Sequence, residues 1–154
     1  MDETMGAHGA ITVERPGEFR GFSYVIKQLE LALRRRLVDA CRASGLTSAQ
    51  YTALSVLVRR PGLTSSELAR RSFVRAQTMA VTLDPMLEAG FVRRETDPAH
   101  ARRRLLFLTE AGARKLEEVD PHIAALEEHM VADLDDAERD QLVELLRRCR
   151  RTFE

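Results

Sequence analysis

The stretch FVRRETDPAHARRRLLFLTEAG, residues 91–112, places five arginines in two clusters on either side of a Thr-Asp-Pro turn. Each cluster borders an apolar run, so the stretch predicts two antiparallel strands, at 91–95 and 104–109, joined by a turn. The arginines on such a hairpin can prevent a sheet edge from pairing with other edges, or they can present positive charge to an anionic polymer. The hairpin alone favours neither interpretation, so the preceding segments must decide between them.

Three helices are predicted between residues 46 and 90, directly before the hairpin. Thr47 opens the motif T-S-A-Q and Thr64 opens T-S-S-E, and both are capping boxes that mark a helix start. After a short connection, residues 75–89 predict a third helix that stops at Gly90. Pro85 lies inside this helix and predicts a bend, because proline lacks the N–H that the helix needs.

The order helix, helix, turn, helix, hairpin is that of a winged helix-turn-helix, in which the second helix of the helix-turn-helix unit enters the DNA major groove. A basic hairpin directly after that helix can reach phosphates or the minor groove. We therefore interpret the hairpin as a DNA-binding wing. Gln77 can pair with adenine and Arg75 with guanine, and the start of the 64–71 helix can donate amides to phosphate. The candidate DNA-contacting residues are Thr64, Ser65, Ser66, Arg75, Ala76, Gln77, Thr78, Thr82, His100, Arg102, Arg103 and Arg104.

Charge is divided unevenly along the chain, although the net charge is zero. Residues 59–104 hold ten arginines and only five acidic residues, and the rest of the chain has the opposite excess. This asymmetry predicts a basic face on an acidic body and favours double-stranded DNA as the partner.

The segments flanking the winged unit carry long apolar stripes, such as Phe22-Ile26-Leu29-Leu33 and Leu142-Leu145-Leu146-Cys149. A small winged core cannot cover them, so they predict an interaction surface, most simply that of a two-fold homodimer. Thr109 and the box Asp135–Glu138 open the two C-terminal helices, and Pro121 should kink the first of these. We expect a mainly α fold with a small β-hairpin wing, divided into a flexible arm (1–17), a helical dimerisation region (18–45 and 110–154) and a winged helix-turn-helix domain (46–109).

Other classes of protein find little support. There is no apolar run long enough to span a membrane and no secretory pattern at the N-terminus, so we expect a cytoplasmic protein. The Ser-His-Asp order, the phosphate loop and the dinucleotide fingerprint are all missing, which argues against an enzyme or a cofactor. His122 and His129 lack a compact set of further ligands, so no metal is expected.

Two alternatives stay open. Cys41 and Cys149 both fall in the predicted dimerisation helices, where buried structural cysteines are the simplest interpretation, but a redox-responsive regulator could use them. A helical dimer that binds a ligand or a protein without DNA is the other alternative, and the basic hairpin argues against it.

The motifs LTSAQY (46–51), TSSELA (64–69), VRAQTM (74–79), LEAGFV (87–92) and DPAHARRRLLFLTEAG (97–112) together resemble the multiple-antibiotic-resistance regulator (MarR) family, over about residues 18–153. The resemblance implies a homodimeric winged-helix transcription factor, usually a repressor of palindromic sites, and many such proteins release DNA on binding small anionic aromatic compounds or on oxidation. Arg102 matches the wing-tip arginine of the family. His100 stands where members commonly have an acid, and Arg75 where a capping serine is common. For an effector of this class, the candidate contacts are Arg20, Tyr24 and Tyr51.

Overall fold

The computed structural model describes residues 21–153, so the predicted arm and Arg20 lie outside the described residues. Along these residues the elements are α1 (Phe22–Ala43), α2 (Ser48–Arg59), α3 (Ser65–Arg71), α4 (Ala76–Glu88), β1 (Val92–Asp97), β2 (His100–Leu108), α5 (Glu110–Met130) and α6 (Asp136–Arg151). The two strands form an antiparallel hairpin. The predicted fold class, mainly helical with a β-hairpin wing, is confirmed.

The helix starts are set by the polar residues that the sequence pattern indicated. The Gln50 amide donates to Thr47 Oγ1 over 3.1 Å, and Gln50 Oε1 accepts from the Thr47 amide over 2.9 Å. The same reciprocal pair is formed by Thr64 and Glu67 at α3, and by Asp135 and Glu138 at α6. Each box satisfies backbone N–H groups that have no partner inside the helix, so all three predicted capping boxes are confirmed.

The two prolines do not end their helices. α4 continues through Pro85 to Glu88, and α5 continues through Pro121 to Met130. The amide of Ala89 still donates to the Pro85 carbonyl over 2.9 Å, so the turn after this proline is intact. The backbone of Gly90 has φ +72°, which confirms this glycine as the stop of α4.

The hairpin is longer than the sequence pattern indicated. β1 and β2 pair from Val92 opposite Leu108 to Thr96 opposite Arg104, and an irregularity follows at Asp97 opposite His100. The predicted strand ends at 95 and 104 are wrong, because residues 96–103 lack the alternation of large apolar and polar side chains that marks a strand.

A backbone bridge joins the hairpin to the segment between α2 and α3. The Gly62 amide donates to the Leu106 carbonyl over 2.9 Å, and the Leu106 amide donates to the Leu63 carbonyl over 2.8 Å. The base of the wing is therefore attached to the helix-turn-helix unit by main-chain hydrogen bonds, which fix its position independently of side chains.

A continuous apolar core lies between α2, α3, α4, the hairpin, α5 and the end of α1. Met79, Leu83 and Met86 form the predicted buried stripe of α4. Cys41 is fully buried in this core, whereas Cys149 is exposed. Cys149 is exposed in the single chain because α6 buries none of its residues there, so its burial at a dimer interface stays a prediction.

The outer faces of α1 and α6 remain apolar and exposed. Phe22 is 68% exposed, and further exposed apolar side chains on these helices are Tyr24, Val25, Ile26, Leu29, Leu31, Val143, Leu145 and Leu146. Among the helices of residues 21–153, none combines the length and the apolar character needed to cross a bilayer.

Candidate nucleic-acid interface

The first turn of α4 presents four candidate contact residues to solvent. Arg75 is the N-cap residue, and its side chain makes no capping hydrogen bond. Ala76, Gln77 and Thr78 follow it, and all four residues are exposed. The predicted base-reading residues at the helix start are thus accessible to a DNA groove.

Thr82 does not lie on this exposed face. It is only 8% exposed, and its hydroxyl donates to the Thr78 carbonyl over 2.7 Å. Its position follows the buried stripe of Met79 and Met86, which the three- and four-residue spacing of the helix places on the same face. The expectation that Thr82 contacts DNA is therefore corrected by its burial.

Val81, the residue before Thr82, lies on the accessible face instead. Its side chain is 74% exposed, and it follows Gln77 by four residues and Thr78 by three, so the three side chains are neighbours on the helix surface. An apolar side chain in this position can contact a thymine methyl group. Val81 is not among the contact residues predicted from the sequence, although its position outside the apolar stripe of α4 marks it as exposed.

At the start of α3, only part of the predicted set is available. Thr64 Oγ1 accepts from the Glu67 amide over 3.3 Å and donates to Glu67 Oε2 over 2.8 Å, so this hydroxyl is used by the capping box. Ser65 is half-buried and Ser66 is exposed. Ser66 is therefore the most accessible of the three hydroxyls.

The three wing arginines have different surroundings. Arg102 is exposed, and within residues 21–153 it makes no hydrogen bond or ion pair. Arg104 donates to the hydroxyl of Thr96, its partner across the hairpin. Arg103 instead reaches back to α3, where its Nη2 lies 3.1 Å from Glu67 Oε1. Arg102 is therefore the arginine of this group that is available for a ligand, and His100 beside it is also exposed.

The acid that receives Arg103 is held in its charged form. The backbone amide of Thr64, then the Thr64 hydroxyl and then Arg103 hold the pKa of Glu67 below its ordinary value. A carboxylate that accepts several hydrogen bonds is stabilised in its ionised state. Glu67 is thus a negative charge at the junction of α3 and the wing.

Arg93, on the incoming strand, is also engaged. It forms an ion pair with Glu95, and its guanidinium lies 4.7 Å from the centre of the Phe107 ring. A cation above an aromatic face is attracted to it. Arg93 therefore belongs to the body of the hairpin rather than to its tip.

A separate cleft of about 550 Å³ contains one of the three candidate effector contacts. Tyr51 lines it, together with Thr52, Ser55, Val56, Arg59, Arg60, Arg71, Phe73 and Arg150. Burial raises the pKa of Tyr51 above its ordinary value, while a hydrogen bond with Ser55 opposes that change. Tyr24 is 64% exposed on α1 and is not part of the lining, so the structure does not bring the two predicted tyrosines together in the single chain.

Comparison with known proteins gives consistent results. A family model described as MarR family matches residues 44–103. The transcriptional regulator HosA of Escherichia coli O111:H- is 31% identical over 103 residues, which cover 67% of this chain and 76% of HosA.

Solved structures show the same similarity in three dimensions. A MarR-family transcriptional regulator from Silicibacter pomeroyi superposes with a TM-score of 0.74 at 26% identity, over 83% of this chain and 86% of that one. The MarR-family protein Rv2887 of Mycobacterium tuberculosis, solved in complex with p-aminosalicylic acid, gives a TM-score of 0.70 at 25% identity, over 82% and 96% of the two chains. With its helix-turn-helix unit, its wing and these relatives, the chain belongs to the MarR family of DNA-binding transcriptional regulators.

Proposed function

We propose that the protein is a homodimeric repressor that binds palindromic operators and leaves them when a small anionic aromatic compound binds. The observation that supports this most directly is the pairing of an exposed α4 face with an exposed wing arginine, Arg102, that has no partner within the described residues. The exposed α4 face can contact base edges in a major groove, and Arg102 can contact a phosphate or enter a narrow minor groove.

Dimerisation is supported by the apolar residues left exposed on α1 and α6. Exposed apolar stripes of this length mark an interaction site. A two-fold axis through the dimerisation region, built from α1, α5 and α6, would repeat α4 at two successive major grooves, about one helical turn apart. The operator would then have two related half-sites.

The proposed effector site is the cleft beside Tyr51. Its walls combine aromatic rings with arginines, which suits an anion that carries a ring. The relative Rv2887 was solved with p-aminosalicylic acid, an aromatic acid. The cleft includes Phe73 of the connection before α4, so a ligand there would contact the segment that positions the recognition helix.

Capture of genomic DNA fragments tests the proposal. The tagged protein should enrich fragments that share an inverted repeat, including fragments from upstream of a gene that it controls. Release of these fragments by salicylate, with benzyl alcohol as an uncharged aromatic control, would support the effector class. Enrichment no greater than with a variant that carries Arg75→Ala, Gln77→Ala and Arg102→Ala would contradict the proposed DNA recognition.

A further inference from the structure

We propose that Arg103 is a positioning residue, which fixes the wing against the start of α3 through Glu67 and does not itself bind DNA phosphate. The proposal rests on the proposed function, because it concerns how the DNA-binding surface is held in shape. It also predicts a property of the free protein that can be measured without DNA.

The two carboxylate oxygens of Glu67 accept hydrogen bonds from different residues. Oε2 accepts from the Thr64 amide and the Thr64 hydroxyl, both over 2.8 Å, and so completes the capping box of α3. Oε1 accepts from Arg103 Nη2 over 3.1 Å. The hydrogen bonds to Thr64 orient the Glu67 carboxylate independently of Arg103, so the acceptor for Arg103 is held in place.

Asp97 supplies a second anchor for the same guanidinium. Its Oδ1 accepts from the Ala99 amide over 2.9 Å and so shapes the turn of the hairpin. Its Oδ2 lies 3.8 Å from Arg103 Nε, and the Asp97 side chain is largely buried. Arg103 therefore links two carboxylates, one that caps α3 and one that shapes the wing turn.

This link adds a second attachment to the one at the base of the hairpin. The backbone bridge between Leu63 and Leu106 fixes the base, but a single bridge leaves the outer part of the hairpin free to pivot. The contact between Arg103 and Glu67 lies farther along β2, toward the tip. Two separated attachments set the direction of the wing, and with it the position of Arg102 relative to α4.

The expected effect is on orientation more than on stability. Exposed ion pairs contribute little to the free energy of folding, but a binding surface that is already ordered loses less entropy when DNA binds. An arginine used in this way is also not available to neutralise a phosphate. Arg102 and Arg103, which are neighbours in sequence, therefore have different roles.

Glu67→Gln is the decisive substitution, because the glutamine amide oxygen can still complete the capping box, whereas its NH2 group toward Arg103 carries no negative charge and cannot accept from the guanidinium. Glu95→Gln is the matched control, since it removes one acid from the wing at its contact with Arg93 and leaves α3 untouched. In the free protein, Glu67→Gln and Arg103→Gln should both speed amide hydrogen exchange in residues 96–104, whereas Glu95→Gln should not. Unchanged exchange in these residues in both variants would overturn the proposal, whether or not the wild-type protein binds DNA.

Operator binding gives the second measurement, and its sign separates the two roles. If Glu67 were only a surface acid, its removal would tighten binding to DNA, as we expect for Glu95→Gln. The proposal predicts weaker binding by about fivefold, near the upper range for an exposed ion pair, with the double variant Glu67→Gln, Arg103→Gln no weaker than either single variant. Tighter binding by Glu67→Gln, additive losses in the double variant, or a salt slope that falls in Arg103→Gln as for a lost phosphate contact would each contradict it.

Discussion

Gly112 in α5 packs directly against the backbone of Phe91 at the start of the wing. A β-carbon at Gly112 would overlap the Phe91 carbonyl oxygen and would lie 2.7 Å from Leu108 Cδ1. The same carbonyl accepts from the Thr109 amide over 3.0 Å, so it cannot move away without loss of a hydrogen bond. The absence of a side chain at Gly112 is therefore what allows α5 to follow so closely on the hairpin.

Gly112→Ala should destabilise the fold by about 1–3 kcal/mol, the usual cost of forcing extra atoms into a packed site. In an unobstructed helix the same substitution would stabilise by about 1 kcal/mol, because alanine is the better helix former. Urea denaturation of wild type and variant measures the sign. A higher midpoint for Gly112→Ala would show that the contact does not restrict this position.

Val81 should contribute to base selection, and Thr82 should not. Val81→Thr replaces an exposed methyl by a hydroxyl, so the preferred base pair opposite it should change or weaken. Thr82→Val is the matched isostere at a buried position, and it should leave the sequence preference unchanged. Gln77→Ala, on the same exposed face, should cost about 1–3 kcal/mol of discrimination at one base pair.

Selection of duplexes from a random library by each variant measures these preferences. If Thr82→Val altered the selected motif and Val81→Thr did not, the base-reading face of α4 would not be the one that carries Val81.

Leu146→Glu should convert the proposed dimer into a monomer, because it places a charge in the exposed apolar stripe of α6. Val58→Glu is the control, since Val58 is an apolar residue on α2 that is at least as exposed as Leu146 and lies outside the proposed interface. Light scattering coupled to size-exclusion chromatography gives the molar mass of each. A wild-type mass of one chain, or a stable Leu146→Glu dimer, would count against the proposed interface.

The two cysteines should report on the same interface. Burial raises the pKa of the Cys41 thiol, so less of the reactive thiolate is present at neutral pH, and Cys41 should react slowly in every folded form. Cys149 lies in the α6 stripe and is exposed in the single chain, so the proposed dimer should protect it.

A coloured thiol reagent should therefore label native wild type slowly, and Leu146→Glu should gain one fast thiol per chain that Cys149→Ser abolishes. Fast reaction of Cys41 in the folded protein would instead favour the redox-responsive alternative.

Local chemistry made much of this fold predictable from the sequence. The capping boxes at Thr47, Thr64 and Asp135 depend on residues three positions apart, so their pattern is visible in the sequence, and the structure has all three. The bridge between Leu63 and Leu106 depends on two backbone hydrogen bonds between distant residues, and no side-chain pattern marks it.

The site was predicted less completely, for two physical reasons. Thr82 is polar, so its type suggested an exposed residue, but the helical period placed it among core residues, where its hydroxyl bonds to the Thr78 carbonyl. Arg103 differs from Arg102 in its partners, and one of these, Glu67, lies 36 residues earlier in the chain. A cluster of identical residue types does not reveal which member meets a partner from another element.

The most direct test of DNA recognition is the salt dependence of binding by wild type and Arg102→Ala, measured on the selected operator duplex and on a scrambled duplex. Wild type should bind the operator at least about 10³-fold more tightly than the scrambled duplex. Arg102→Ala should weaken binding to both duplexes and should reduce the salt slope by about one charge per protomer. Equal wild-type affinity for the two duplexes, together with an unchanged slope in Arg102→Ala, would contradict the account.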